Sequence, residues 1–169
     1  MNYFLDKNLL NEVCANARSN PRLRKNHNLH ATETHACQRL FNAMQPGSYI
    51  RPHRHQAQDK DETLLMVQGK LGVVLFSETG TIEQVALASS GGAVDTDTFG
   101  YHLPAGIFHT VIALTPNTVF FEAKAGPYTP TKPEEFATWA PAEGTPEAAD
   151  YLRRLEALFA SGNTAGQAS

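Results

Sequence analysis

Three histidines and one glutamate occur in two short segments whose spacing suits a metal site. The segments read Gly47-x5-His53-x-His55-x6-Glu62-x6-Gly69 and Pro104-x-Gly106-x2-His109. Because alternate side chains of a strand share a face, His53 and His55 would project together, about 6–7 Å apart. Three imidazoles and one carboxylate suit one divalent Fe, Mn, Ni, Zn or Co ion. Four protein ligands would leave open positions on a six-coordinate ion for water or substrate.

Each of these residues has an ordinary explanation when it is taken singly. A His-x-His pair in a strand is commonly exposed, and one histidine on an apolar strand is commonly a hydrogen-bonded core residue. Asp59 and Asp61 precede Glu62 and offer alternative carboxylates. It is the joint occurrence of the four residues, in order and with glycines at the turns, that predicts a metal site.

The pattern of apolar and turn residues in 37–126 predicts the fold that positions these side chains. Short apolar or alternating runs are separated by Gly, Pro, Ser and Thr, and no helical pattern lies between them, which indicates an antiparallel sandwich or jelly roll. The run 49–55 is one expected strand, and residues 78–81 are an expected hairpin turn. Gly69 is expected to break two further runs.

Helices are expected at both ends of this region. Residues 6–18 form an apolar stripe after a capping Asp6, and Thr145-Pro146 begins a second helix that Gly162 ends. The basic segment 21–30 has no clean period and predicts an extended loop. We expect one domain over 1–169, with a helix and basic loop (1–36), a β-barrel core (37–126), a Pro-rich extension with a helix (127–161) and a flexible tail (162–169).

Composition limits the classes of function. The chain has 169 residues and a formal net charge of −3, so neither a nucleic-acid partner nor a membrane surface is expected. No run approaches the ~20 apolar residues of a membrane span, and charges interrupt the first residues, so the sequence predicts a cytoplasmic protein. Cys14 and Cys37 are far apart and suggest neither a disulfide framework nor a zinc ribbon.

The two histidine segments resemble the two motifs of the cupin superfamily. That resemblance implies a double-stranded β-helix, or jelly-roll barrel, with His53, His55, Glu62 and His109 as the metal ligands. The acid follows His55 after six residues, where the family usually has three or four. We prefer Glu62 because it keeps the x6 spacing to Gly69.

Other segments resemble the WbuC-like cupin metalloproteins over most of the chain. They are the segment 19–30, Arg51-Pro52-His53-Arg54-His55, Gly126-Pro127-Tyr128 and the segment 139–144. That family is associated with bacterial surface-polysaccharide gene clusters, so the resemblance implies a link to polysaccharide biosynthesis. Cupins commonly form dimers through sheet edges, which implies a homodimer.

Strand alternation extends the site beyond the four ligands. Tyr49 and Arg51 share the expected face of His53 and His55, so they are expected to line the cavity and bind substrate. A guanidinium suits a carboxylate or phosphate, although Arg51 could instead pair with Glu122 at the rim. On the strand of Glu62, an apolar floor of Leu64 and Met66 is expected.

The basic loop and a late strand supply further candidates. The loop could fold across the barrel mouth and hold an anionic or polyhydroxyl ligand, or it could be a solvated loop or a strand at a dimer interface. Its candidate ligand-binding residues are Arg22, Arg24, Lys25 and Asn26. Glu122 and Lys124 share a face and form either a rim ion pair or a general acid and base, with Lys124 as a further substrate contact. The candidate catalytic residues that could move a proton are Glu122, His27 and His30.

Three functions fit this sequence. The first is a metal-dependent enzyme that isomerises, epimerises or eliminates on a small oxygen-rich metabolite, such as a sugar, a sugar nucleotide or a keto acid. The second is an Fe(II)-dependent dioxygenase. The third is a non-catalytic module that binds a carbohydrate or another small ligand.

Overall fold

A computed structural model describes residues 4–57, 60–90 and 98–160, which form two antiparallel sheets and two α-helices. The first sheet has the order β1-β2-β8-β3-β6 and the second the order β5-β4-β7. The elements are α1 Lys7–Ser19, β1 Arg24–Asn28, β2 Cys37–Met44, β3 Glu62–Gln68, β4 Lys70–Phe76, β5 Ile82–Ser89, β6 Gly100–Leu103, β7 Phe108–Ala113, β8 Thr118–Ala125, a 3-10 helix Pro133–Glu135 and α2 Pro146–Ala157.

The main core lies between the two sheets, because the inward residues of both sheets are apolar over much of their length. Its buried members are Met44, Leu64, Leu71, Val73, Leu103, Val111, Ala113 and Phe120. Full burial of a Val, Leu or Phe side chain stabilises a fold by about 1.5–3 kcal/mol. The inner faces of the two sheets therefore supply both this apolar core and the polar residues described below.

A helix covers the outer face of each sheet. Asp6 caps α1 by accepting a 3.0 Å hydrogen bond from the Leu9 N–H, and the apolar stripe of α1 packs on Phe41 and Val119. Leu152 of α2 packs in a second cluster on the three-stranded sheet, together with the aromatic residues of the Pro-rich segment. Both predicted helices are confirmed, although the predicted end of α2 at Gly162 lies outside the described residues.

Turn glycines stand where the sequence predicts breaks. Gly69 has φ +80 between β3 and β4, and a Cβ there would lie 2.7 Å from Thr118 Oγ1. Gly80 closes the predicted β4–β5 hairpin with φ +87. Such left-handed backbone favours glycine, so these positions fix where one strand ends and the next begins.

Two local predictions are wrong. The basic segment is not a loop: Arg24–Asn28 forms edge strand β1, with Asn26 opposite Asn42 of β2. Residues 49–55 do not form a regular strand, and only an isolated bridge joins His53 to His109 and to Phe136. In both places backbone pairing with a partner distant in sequence decides the structure, and local periodicity does not report such pairing.

The predicted all-β fold class is confirmed by the two antiparallel sheets and two helices. Within the described ranges the strands form two separate sheets and no closed barrel. None of the helices in that part of the chain is both long and apolar enough to cross a bilayer.

Candidate metal centre and cavity

Backbone pairing positions two of the predicted ligands. The His53 N–H donates to the His109 carbonyl at 3.1 Å, and the His109 N–H donates back to the His53 carbonyl at 2.9 Å. The Gly106 N–H holds the His55 carbonyl at 2.8 Å. Gly106 has φ +90, so this turn favours a residue without a side chain. Main-chain hydrogen bonds from the segment of Gly106 and His109 therefore hold the segment of His53 and His55 in position.

Glu62 begins β3 on the inner face of the five-stranded sheet. It pairs with Leu103 of β6 on one side and with Lys124 of β8 on the other. Its side chain is buried, and it lies beside the histidines. Asp61, the alternative carboxylate, is exposed and lies 3.7 Å from His102 instead. Asp59 lies outside the described residues.

The four predicted ligands converge. His55 Nε2 lies 3.0 Å from Glu62 Oε1, and His109 Nε2 lies 3.5 Å from Glu62 Oε2. The ring centroid of His53 is 4.7 Å from that of His109 and 5.3 Å from that of His55. Two atoms that each bind one ion at about 2.1 Å lie roughly 3.0–3.4 Å apart at octahedral or tetrahedral angles. The two separations between Glu62 oxygens and histidine Nε2 atoms are thus close to those of atoms that share one divalent ion.

The nitrogen atoms are also oriented for a metal. Nδ1 of His53 lies 3.1 Å from the Arg51 carbonyl, and Nδ1 of His109 lies 2.9 Å from the Ile107 carbonyl. A carbonyl only accepts, so each Nδ1 carries the proton and each Nε2 is left with a free lone pair, as in metal-binding histidines. His55 Nε2 is buried without a well-aligned hydrogen bond. Although no three acidic, His or Cys side chains in the described ranges already stand as a complete metal cluster, this donor set fits one.

Electrostatics keeps the ligands in their metal-binding forms. Burial lowers the pKa of His53 to about 3, helped by the neighbouring His109 and His55, so its imidazole is neutral. Burial by itself would raise the pKa of Glu62, but contacts with His109, His55 and Lys124 lower it well below its usual value. The site therefore combines a neutral imidazole with an ionised carboxylate.

A buried ion-pair chain continues from Glu62 along the sheet. Lys124 Nζ lies 2.8 Å from Glu62 Oε1 and 2.6 Å from Glu122 Oε1, and the Asn42 amide donates to Glu122 Oε2 at 2.7 Å. Burial alone would lower the pKa of Lys124, but the carboxylates of Glu122 and Glu62 raise it above its usual value. Glu122 and Lys124 thus form a buried pair next to the candidate metal centre.

These side chains line one cavity of about 520 Å³, a size typical of small-molecule sites. His53, His109 and Glu62 stand in its wall, and Leu64, Leu103, Val111 and Phe120 form apolar surface beside them. Its other lining residues are Asn20, Arg22, Arg24, Lys25, Asn26, Asn28, His30, Glu33, Gln38, Leu40, Asn42, Met44, Ile50, Glu122, Lys124, Tyr128, Thr131, Phe136 and Glu143.

The structure places Tyr49 and Arg51 away from this lining. The Tyr49 hydroxyl donates to the Pro141 carbonyl at 2.9 Å, and Arg51 donates to the Ala137 carbonyl at 3.1 and 2.6 Å. The expectation that they line the cavity is therefore wrong, and Arg51 does not pair with Glu122 either. Alternation of side chains fails here because residues 49–55 are not a regular strand.

The residues of the basic segment differ in whether they line the cavity. Arg24 and Asn26 line the cavity, whereas His27 does not. Arg22 lies 2.9 Å and Arg24 2.7 Å from the carboxylate of Glu143. Lys25 also lines the mouth. His27 is thus the one predicted proton carrier that the fold sets outside the cavity.

His30 lies in the cavity wall and is buried. The Arg39 N–H donates to His30 Nδ1 at 3.1 Å, although the Arg39 carbonyl is also 3.0 Å from that atom. An N–H can only donate, and the Leu29 N–H already bonds the Arg39 carbonyl at 2.8 Å. Nδ1 is therefore the acceptor and Nε2 carries the proton. That Nε2 has no hydrogen-bond partner among the described residues.

Sequence reasoning missed several lining residues. Phe136 lies with its ring centroid 6.3 Å from that of His53, and Tyr128 is half exposed at the mouth. Trp139 of the same Pro-rich segment packs instead against Phe76, with ring centroids 4.9 Å apart. Asn42 could have been predicted as a lining residue from its position on the inward face of β2. The irregular Pro-rich segment that carries Phe136 has no periodic pattern from which such a prediction could be made.

Three comparisons with known proteins were made, against family models, curated proteins and solved structures. A family model described as a domain of unknown function, DUF6016, matches residues 5–87. A search of curated proteins finds no match. Solved structures that resemble the chain include KdgF from Halomonas sp., at 18% identity over 66% of this chain and 85% of that one with a TM-score of 0.48.

Two further structures are similar at the same level. Oxalate decarboxylase from Bacillus subtilis has 17% identity over 62% of this chain and 29% of that one, with a TM-score of 0.45. A cupin superfamily protein from Desulfitobacterium hafniense has 11% identity over 60% and 76%, with a TM-score of 0.45.

Proposed function

We propose that this chain is a cupin metalloprotein whose metal-dependent enzyme activity acts on a small oxygen-rich metabolite. The observation that carries the proposal is the convergence of His53, His55 and His109 on ionised Glu62, beside a cavity of about 520 Å³ whose wall includes His53, His109 and Glu62. The chemistry is of the isomerase, epimerase or lyase type, and the substrate is a sugar, a sugar nucleotide or a keto acid.

The donor set defines what each group would do. The four residues would hold one divalent Fe, Mn, Ni, Zn or Co ion, which supplies Lewis acidity towards substrate oxygens. Glu122 is the candidate general base, because its Oε1 faces the cavity beside Lys124. Lys124 orients both carboxylates, and the apolar wall around Leu64 excludes bulk water from the reacting atoms.

The sequence resemblance supports a wider setting for this activity. Likeness to the WbuC-like proteins in the segment 19–30 and around Arg51-Pro52-His53 supports a role in bacterial surface-polysaccharide biosynthesis. We propose a cytoplasmic homodimer, in which the edge strand β1 or the edge strand β6 pairs with a second copy and protects its unpaired backbone groups.

Elemental analysis of the natively expressed protein tests the metal. We expect one divalent metal per chain, and its loss in His109→Ala. The matched control is His102→Ala, since His102 is exposed on β6 and contacts only Asp61 and Thr63 among the described residues. Equal metal content in both variants would overturn the proposed centre.

Proton exchange tests the reaction. Isomerisation, epimerisation and elimination next to a carbonyl all break a C–H bond, so NMR in D2O should show metal-dependent deuterium incorporation into keto acids or ketoses. Glu122→Gln should abolish the exchange without loss of metal. Oxygen uptake that requires ferrous iron would instead establish the dioxygenase, and ligand-induced stabilisation without exchange would establish a binding module.

A further inference from the structure

The inner face of the five-stranded sheet carries a polar wall from the metal centre to the edge strand. Glu62 of β3 stands opposite Lys124 of β8, and Asn42 of β2 stands opposite Asn26 of β1. Three strand spacings of about 4.8 Å separate β3 from β1, so the wall is roughly 14 Å wide. A ligand long enough to span this wall would therefore meet the candidate metal centre at one end and the side chains of β1 at the other.

Three of the four cations that line this cavity, Arg22, Arg24 and Lys124, have carboxylate partners among the described residues. Glu143 accepts from Arg24 NH2 at 2.7 and 2.8 Å and from Arg22 Nε at 3.1 Å. Lys124 is bound between two carboxylates. The four cationic lining residues, Arg22, Arg24, Lys25 and Lys124, are matched by four carboxylates, Glu33, Glu62, Glu122 and Glu143. The wall offers no surplus positive charge to a phosphate.

Amide groups stand in the wall beside these neutralised charges. The side-chain amide of Asn26 donates to Asn28 Oδ1 at 2.7 Å. This bond leaves the side-chain Nδ2 of Asn28 and the side-chain Oδ1 of Asn26 free to bind a ligand. Asn42 donates one N–H to Glu122 and keeps its carbonyl oxygen. Adjacent uncharged donors and acceptors match the adjacent hydroxyls of a polyol, each of which both donates and accepts.

Tyr128 and Phe136 add aromatic surface to the same cavity. The C–H face of a sugar ring is apolar and packs on an aromatic face, while its hydroxyls point sideways to polar groups. Half of the Tyr128 side chain is exposed at the mouth, where such a ring would enter.

We infer that Asn26, Asn28 and Asn42 form a hydroxyl-binding subsite for a neutral sugar residue, about 14 Å from the metal-binding end. The inference rests on the proposed function for the identity of that end, and it narrows the substrate class to a glycoside or other polyol without a phosphate at the mouth. The subsite itself uses only residues of β1 and β2 and does not require the metal.

Saturation-transfer NMR on the full chain, with metal removed by a chelator, tests the subsite. The probes are the methyl glycosides of glucose, galactose, mannose and rhamnose, with glucose 1-phosphate and inorganic phosphate as competitors. We expect at least one methyl glycoside to bind and excess phosphate to leave its signal unchanged. Absence of binding by all four glycosides, or displacement by phosphate, would overturn the inference.

The double variant Asn26→Ala/Asn28→Ala should weaken glycoside binding at least about tenfold, as the loss of two hydrogen bonds implies. Asn11→Ala, on the exposed side of α1, is the control and should bind as the parent chain does. An unchanged affinity in a double variant with native thermal unfolding would also overturn the inference. Glycoside binding in a chain that never takes up metal would refute the proposed enzyme and leave the subsite standing.

Discussion

The ammonium nitrogen of Lys124 lies 2.8 Å from Oε1 of Glu62, inside the protein and beside three histidines. The same nitrogen is 2.6 Å from Glu122 Oε1. Two carboxylates of adjacent strands are therefore held together by one cation, which offsets their mutual repulsion. This arrangement makes Lys124 the electrostatic partner of the candidate metal ligand.

Replacing Lys124 by Met should lower the free energy of unfolding by about 2–4 kcal/mol, because breaking a buried ion pair leaves uncompensated charge. Urea unfolding in the presence of a chelator measures this loss. Added Mn(II) or Zn(II) should restore part of it, since a cation bound to Glu62 again balances the carboxylates. Lys7→Met, on the exposed first turn of α1, should change neither quantity. A Lys124 variant as stable as the parent would contradict this account.

Alanine variants of two glycines should distinguish the cost of a strained backbone from an effect on the placement of His55. Gly106 has φ +90 and Gly144 has φ +80, and a Cβ at either would meet nothing within 4 Å. Gly106→Ala and Gly144→Ala should therefore each cost about 1–2 kcal/mol of stability through left-handed backbone alone. Because the Gly106 N–H holds the His55 carbonyl, only Gly106→Ala should also weaken metal binding, measured by competition with a chromogenic chelator. Equal metal affinities would show that this turn does not position His55.

Glu135 should act as a positioning residue for the His53-x-His55 segment. Its Oε1 accepts from the Gln56 N–H at 3.0 Å, and its carbonyl accepts from the Arg54 N–H at 2.9 Å. Glu135→Ala should cost about 1 kcal/mol and reduce metal affinity. Glu134→Ala, an exposed neighbour in the same 3-10 helix, is the control and should leave both unchanged.

The pH dependence of this effect has a defined sign. Burial would raise the pKa of Glu135, but hydrogen bonds from the Gln56 and Lys132 N–H groups lower it below its usual value. A lowered folded-state pKa gives stability that is present above the ordinary carboxyl pKa of about 4.3 and is lost as pH falls through the folded value. The Tm difference between the parent and Glu135→Gln should therefore shrink as pH falls from neutral to acid. A difference that grows in acid would exclude this role.

The sequence could predict which candidate metal ligands converge but not all of what surrounds them. His53, His55, Glu62 and His109 were found from motif spacing, because turn glycines and short strands leave a clear pattern. The prediction for Arg51 is wrong because it assumes a strand where the backbone makes only two isolated bridges, both at His53. The sequence shows local alternation of side chains, but it does not show which distant segment packs beside a strand to line the cavity.

The mouth of the cavity shows the same limit. A run of basic residues predicts an anion site, yet Arg22 and Arg24 are satisfied by Glu143, which is more than 100 residues away in the chain. Glu143 carries no local signal of its own. The charge that a ligand meets is therefore a property of the fold and not of the basic segment.

Glu143 should accordingly decide whether the mouth accepts anions. Glu143→Gln removes one of the four lining carboxylates and leaves the guanidinium groups of Arg22 and Arg24 without a charged partner, so inorganic phosphate should bind measurably by titration calorimetry where the parent chain shows no heat. The affinity should fall as salt rises, because the site is open to solvent. The stability cost should be about 1–2 kcal/mol, because Arg22 is exposed but the largely buried Arg24 also loses its carboxylate partner. Adding Arg22→Gln to this variant restores the charge balance and should remove the gained phosphate binding. Glu78→Gln, an exposed carboxylate on the β4–β5 turn, should create no phosphate site, and phosphate binding by the parent chain would show that the mouth is already an anion site.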